Sequence, residues 1–367
     1  MMRLFDPIEF HARVNPDRLA LVAFDTFAEG LSYADLKQMV DAASRIFARR
    51  GIAPQQRVGL NFHDVFLHII AALALSRMGT ATIAVSSGGG FAPGSIDALI
   101  GDKPVASKSV RSHLLEAGTL IRFEPERDSP EPPTSTTTPI WEFTGTGRTL
   151  AVREDTLLAR IAQRSRAKGG ASGARWLCAV DPRTELGIST VMESLSAAGA
   201  IVFSTGKFED DIQPMGLYEA DHLLVSGDRA AAYLSIFDKT TNVSARVRTA
   251  IVSGAAHDEE TLSRMKQRVS AHTVVHLDLP ETGTLAVSSY WHIGKARTYW
   301  RPPGVELRIV GKNGQERDAG AQGTIAVKSE GALRPASGDM PAEGFKDGWY
   351  HSTLEGSLAR EGALVLA

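Results

Sequence analysis

The sequence holds a single cysteine in 367 residues, Cys178. One thiol excludes any disulfide within the chain and fits a reducing compartment. Its setting, the apolar run Trp176-Leu-Cys-Ala-Val180, reads as a strand in which the thiol is a small buried hydrophobe. The chain also lacks any uninterrupted apolar run of about 18 residues, which excludes a spanning helix. The opening Met1-Met-Arg-Leu-Phe-Asp-Pro7 has no apolar core of the kind a secretory signal needs. Net charge is small, formally −2, so nothing favours broad attraction to nucleic acid or an anionic membrane. The histidines are dispersed; His63 and His68 stand too far apart to chelate a metal from one helix face. No Gly-x-Gly-x-x-Gly joins a first strand to a first helix, which argues against a dinucleotide-dependent oxidoreductase. These absences describe a cytoplasmic, soluble protein without a nucleic-acid partner or a membrane span.

What is present is an ordinary globular composition, 43% apolar and 22% charged. The length exceeds that of one common domain. Apolar periodicity alternates between strand and helix from the start. Leu19 to Phe24 reads as a strand. Tyr33 to Arg49 reads as a helix capped by Ser32 and stopped at Gly51. Arg57 to Phe62 is a strand, a helix begins at Asp64, and Thr80 to Val85 is a strand. The alternation resumes after residue 150. Helices are expected at 154–166, 186–198, 228–237 and from Asp258 to Val269. Strands are expected at 176–180, 200–203, 221–225, 249–252 and 273–277. From about Ser288 the pattern changes to hairpins: Leu307 to Val310, the turn Gly311-Lys-Asn-Gly314, then Gly323 to Lys328. The expected fold class is α/β: two subdomains with largely parallel sheets, at 1–180 and 181–287, and a small antiparallel β unit at 288–367. A Pro/Ser/Thr-rich linker occupies 124–138.

One stretch stands out chemically. Thr144-Gly-Thr-Gly-Arg148 concentrates glycine and hydroxyls after the linker. Glycine lets backbone approach a ligand closely, and successive N–H groups can form an anion-binding concavity. The plainer alternative is a glycine-rich turn between two strands.

In their order along the chain, several segments resemble the large N-terminal domain of adenylate-forming enzymes, the acyl-CoA synthetases and related AMP-dependent ligases. Leu31 to Leu36, Arg50 to Val58 and Ala72 to Val85 are similar to its opening αβ units. Phe143-Thr-Gly-Thr-Gly-Arg148 resembles a shortened form of its phosphate loop. Ser253-Gly-Ala-Ala256 resembles its adenosine-binding turn. Pro280-Glu-Thr282 falls where the family has an aromatic-Gly-x-Thr-Glu segment. Pro303 to Val310, Gly320 to Val327 and Gly348-Trp-Tyr350 resemble its closing β unit. The resemblance implies that a carboxylate attacks ATP to give an acyl-adenylate, which then passes to coenzyme A or an acyl-carrier protein. It implies Thr144, Gly145, Thr146, Gly147 and Arg148 on phosphates, Ser253, Gly254, Ala255 and Ala256 beside adenosine, and Glu281 as the catalytic acid that holds magnesium. ATP or AMP with magnesium are the implied cofactors, none of them covalent.

The sequence also departs from that pattern where the chemistry should lie. The glycine loop lacks its usual lysine, with Leu150 near that place. Pro280 stands for a hydroxyl and can donate nothing. Leu277-Asp278 replaces the aromatic-Gly pair, Leu354 replaces a ribose-binding acid, and Asp181 to Gly187 lacks the usual His or aromatic. The sequence stops at Ala367, where the resemblance would place a hinge and a small lysine-bearing domain. Two readings stand. The first is a degenerate domain, weakly catalytic or non-catalytic (a pseudoenzyme), that binds a nucleotide, an acyl group or a protein partner. The second is a divergent AMP-forming carboxylate ligase with its small domain supplied separately. A homo- or hetero-oligomer is compatible with either.

Overall fold

The computed structural model describes residues 3–23, 27–85, 95–103, 110–122, 138–145, 148–168, 172–237, 247–254, 258–289, 298–333 and 344–367. In chain order come α1 (Asp6–Val14), β1 (Leu19–Ala23), β2 (Phe27–Ser32), α2 (Tyr33–Arg49), β3 (Arg57–Asn61), α3 (Val65–Arg77), β4 (Ala81–Val85), β5 (Ala98–Gly101), β6 (Arg111–Leu114), α4 (Ala117–Ile121), β7 (Ile140–Gly145), β8 (Arg148–Arg153) and α5 (Glu154–Lys168). Next are β9 (Arg175–Cys178), α6 (Glu185–Ser196), β10 (Ala200–Phe203), α7 (Ile212–Leu217), β11 (His222–Ser226), α8 (Gly227–Phe237), β12 (Thr249–Gly254), α9 (Glu259–Arg268), β13 (His272–Leu279) and β14 (Gly283–Ser289). The last are β15 (Thr298–Tyr299), β16 (Val305–Val310), β17 (Gly323–Ser329), β18 (Phe345–Lys346), β19 (Trp349–Leu358) and β20 (Leu364–Leu366). The chain forms two compact units, Met1–Leu158 with Asp181–Phe203, and Ala159–Val180 with Ser204–Ala367.

In the first unit, β6, β5, β3, β4 and β7 pair in parallel in that order, and β8 closes the edge antiparallel to β7. A second strand group pairs β1 in parallel with β10 and antiparallel with β2. Sequence dictates the helix starts. Ser32 accepts the Asp35 N–H at 3.1 Å while the Asp35 carboxylate accepts the Ser32 N–H at 3.1 Å, a reciprocal capping box on α2. Asp64 accepts from the N–H groups of Phe66 and Leu67 at the start of α3. Helix α3 is apolar around its whole circumference and is buried from Phe66 to Ser76, as an all-round apolar helix must be.

In the second unit, β9, β11, β12 and β13 run parallel, with β14 antiparallel to β13. Leu223, Leu224, Val252, Leu277 and the thiol of Cys178 are all buried there. A separate antiparallel sheet has the order β15-β20-β19-β17-β16, with β18 on β19. The expected fold class is therefore the observed one.

The linker read at 124–138 lies outside the described residues except for Thr138. Strands β5, β6 and β20, of three or four residues each, escape a reading by periodicity, and so does β2. Strand β6 is also mostly exposed, so it carries no apolar pattern.

Candidate functional site

The glycine-rich stretch at 144–148 joins β7 to β8. Ladder pairing runs as far as Gly145↔Arg148. Thr146 and Gly147, and the side chains of Thr144 and Arg148, lie outside the described residues. This stretch belongs to the first unit.

The remaining predicted residues belong to the second unit. Ser253 and Gly254 end β12, and parallel pairing sets them beside His276 and Leu277 of β13. The carboxyl ends of parallel strands are where α/β folds present ligand-binding groups. Gly254 has φ +134, a conformation that L side chains rarely adopt, and open space where a Cβ would lie. Ala255 and Ala256 lie outside the described residues. Glu281 occupies the tight turn between β13 and β14 and is partly exposed, and its carbonyl accepts the Leu333 N–H at 2.8 Å. Among the described residues no group of three or more His, Cys, Asp or Glu could hold a metal. Glu281 thus supplies one carboxylate, which suits magnesium only in the mode where phosphate oxygens and water complete the shell.

Beneath this turn lies a polar cluster that sequence reading did not find. Asp278 pairs with Thr284 across the β13–β14 ladder, and the Thr284 hydroxyl donates to its carboxylate. The Ser253 hydroxyl donates to the other oxygen. The Arg164 guanidinium stands 3.5 Å away, with side-chain exposures of 3% for Arg164 and 10% for Asp278. Burial alone would raise the Asp278 carboxyl; Arg164, His276 and the two hydroxyls outweigh it and hold it below the usual carboxylate range.

Arg164 comes from α5 with Arg160 and Gln163, spaced i, i+3, i+4 on one face, and all three are buried. Gln163 donates to the Thr284 carbonyl, and Arg160 Nε donates to the Gly331 carbonyl at 2.7 Å. The Arg160 stem needs glycine on both sides. A Cβ on Gly283 would lie 3.1 Å from its Cγ, and one on Gly331 3.0 Å from the same atom. A charged stripe on a helix ordinarily reads as a solvated face, so no local signal announces this burial.

Leu354, at the place of the family's ribose acid, is partly buried. It lies within an irregular stretch of β19, between the pairs Ala326↔His351 and Thr324↔Glu355, where Ser352 donates to the Ile325 carbonyl and accepts the Leu354 N–H. In the loop before α6, Thr184 caps the helix by accepting the Gly187 N–H at 3.1 Å.

Comparison with known proteins places this architecture. A family model described as AMP-binding enzyme matches residues 8–102. The N-terminal domain of FACL13 from Mycobacterium tuberculosis matches with a TM-score of 0.85 and 14% identity, over 100% of both chains. O-succinylbenzoate coenzyme A synthetase (MenE) from Bacillus subtilis, in complex with AMP, matches with a TM-score of 0.81 and 16% identity, over 98% of this chain and 77% of that one. VinN in complex with L-aspartate matches with a TM-score of 0.81 and 14% identity, over 100% and 98%. Among curated proteins, no sequence match was found. The chain thus has the fold of the large domain of acyl-CoA synthetase-like enzymes.

Proposed function

We propose that this chain is an adenylate-forming-ligase-like domain with weak or no adenylation activity, which binds a nucleotide, an acyl group or a protein partner. The observation that supports this reading is the Asp278 cluster. At the ends of β12 and β13, where the resemblance expects an adenine platform, the Ser253 hydroxyl, the Thr284 hydroxyl and the Arg164 guanidinium are directed at one another's partner, Asp278. Groups bound internally have less to offer a developing charge. Loss of one oriented donor commonly costs about 2.7–4 kcal/mol of transition-state stabilisation. The replaced lysine, hydroxyl and ribose acid act in the same direction.

The second reading, a divergent AMP-forming ligase acting on a carboxylate and passing it to coenzyme A or an acyl-carrier protein, draws on two features. Gly254 leaves open space at the end of β12, and Glu281 is partly exposed in the turn after β13. They favour retained nucleotide binding in both readings, with Thr144 to Arg148 toward phosphates, Ser253 to Ala256 beside adenosine, and Glu281 toward magnesium. A cytoplasmic site of action suits either; among the described residues no helix is long and apolar enough to cross a membrane.

Calorimetric titration of ATP and AMP with magnesium, into the chain and into Glu281→Ala, tests the nucleotide site. ATP–pyrophosphate exchange with a panel of carboxylates tests turnover. The expected result is nucleotide binding that Glu281→Ala weakens, with exchange no faster than the blank. Exchange at about 1 per second or more, the ordinary range for enzymes, would overturn the reading of a weak or non-catalytic domain.

A further inference from the structure

A second group of residues, on the solvent face of the antiparallel sheet, has no part in the site above. Register puts the side chains in two rows across β16, β17 and β19. One row is Glu306, Lys328 and Trp349, extended by Lys346 of β18; the other is Arg308, Ala326 and His351. The rows are two residues apart on each strand, so all these side chains share one face. The connection between β18 and β19 is Asp347-Gly348, with φ 52 and 79. That is the left-handed two-residue turn that Asp-Gly favours, and it holds Lys346 directly opposite Trp349.

The face is cationic and built around the indole. The Arg308 guanidinium lies over the Trp349 ring, 4.2 Å from its centroid, and Lys328 Nζ stands 5.8 Å from the same centroid. Lys346 Nζ reaches toward the β16–β17 turn, 3.7 Å from where a Gly314 Cβ would lie. The opposing charge is thin: Glu306 sits 3.8 Å from Lys328, and Asp347 adjoins His351. Arg308 Nε and His351 Nε2 are shielded from water and have no hydrogen-bond partner. Burial, Arg308 and Lys346 together depress the His351 imidazole, which registers the excess of positive charge around it. Such an arrangement is relieved by an anion, and a guanidinium already immobilised on an indole has less entropy to lose in gripping one.

We propose that this face is a binding site for phosphate-type oxyanions, free or carried on a small organic molecule, anchored by Arg308 and flanked by Lys346 and Lys328. The site does not depend on the proposed nucleotide site, and Arg308 and Lys346 can be varied without touching that site.

The test is titration of pyrophosphate, inorganic phosphate and glycerol phosphate, followed by calorimetry and tryptophan emission. Ionic strength is held constant with chloride, because exposed charges are screened over about 10 Å at 0.1 M salt. Saturable binding is expected, with an emission change that disappears in Trp349→Phe. Arg308→Ala should weaken binding about tenfold to a hundredfold, the scale of a charged hydrogen bond. Arg308→Lys should recover part of that loss, and Lys346→Ala should cost severalfold. Tighter binding of the ester than of inorganic phosphate would identify a carried phosphate; the reverse would identify the free ion. A response matched by chloride alone, or one that survives in Arg308→Ala/Lys346→Ala with the far-UV spectrum unchanged, would overturn the assignment.

Discussion

Arg164 and Asp278 face each other at 3.5 Å with almost no access to water. One comes from a helix and the other from the end of a strand, 114 positions apart in the numbering. A buried pair of this kind is costly to break from one side, because the remaining charge loses its counterion without gaining solvent. Asp278→Ala is expected to destabilise the protein by about 3 kcal/mol or more. Asp278→Asn, which keeps acceptor capacity for the Ser253 and Thr284 hydroxyls, should cost less. Urea unfolding of the two variants and of Arg164→Met/Asp278→Leu measures this. If the double apolar variant proves less stable than Asp278→Ala, the account of a stranded charge fails.

His68 carries a pH dependence of definite sign. Burial inside α3 pushes its imidazole down to about 4, and Arg183 adds to the effect against Asp181. Above pH 6.5 the ring is neutral in the folded and unfolded chains. Between pH 6.5 and 4 the unfolded chain takes a proton that the folded chain refuses, so stability falls as pH falls. Below 4 both forms are protonated and this contribution stops changing. The full swing is about 3 kcal/mol. His68→Gln should flatten the unfolding midpoint between pH 4 and 6.5 relative to the parent. Parallel pH profiles for the two proteins would show that His68 is not the source.

Gly187 has no room for a side chain. A Cβ there would lie 2.1 Å from the Asp181 carbonyl oxygen and 2.6 Å from the Pro182 Cα, both backbone atoms. Gly187→Ala must therefore displace the loop that caps α6. A loss of about 3 kcal/mol is expected, at the upper end for overpacking. Ordinarily alanine would stabilise a helix relative to glycine by up to about 1 kcal/mol, so even the sign of the change in denaturation midpoint is diagnostic.

Ser32 offers a smaller, cleaner test. The capping box on α2 joins Ser32 and Asp35 through two backbone–side-chain bonds. Ser32→Ala should cost about 1 kcal/mol, and Ser32→Gly or Ser32→Asn distinctly less. Equal losses in all three would point to a tertiary role for the hydroxyl beyond the cap.

Much of the scaffold was legible in one dimension. The caps at Ser32, Asp64 and Asp258 are short-range chemistry, and each sits where its helix begins. The apolar runs of β10, β11 and β12 are continuous because parallel strands are covered on both faces. Legibility ended at the polar interior. Arg160, Gln163 and Arg164 look like the wet side of α5, and only the sheet packed against them makes them the dry side. Asp278 was readable as the loss of a glycine, but not as the acceptor of two hydroxyls.

The amino-acid sequence by itself determined the alternation of strands and helices, their ends, and the resemblance to adenylate-forming enzymes. These depend on periodicity, caps and turns within a few residues of one another. Tertiary structure alone decided which polar groups are buried and what they meet. It brought Ser253, Asp278, Thr284 and Arg164 to one point and put Arg308 on the face of Trp349. The reason is physical. Desolvation and charge pairing depend on distances across strands and between layers, and nothing in the local pattern encodes those distances until the chain has folded.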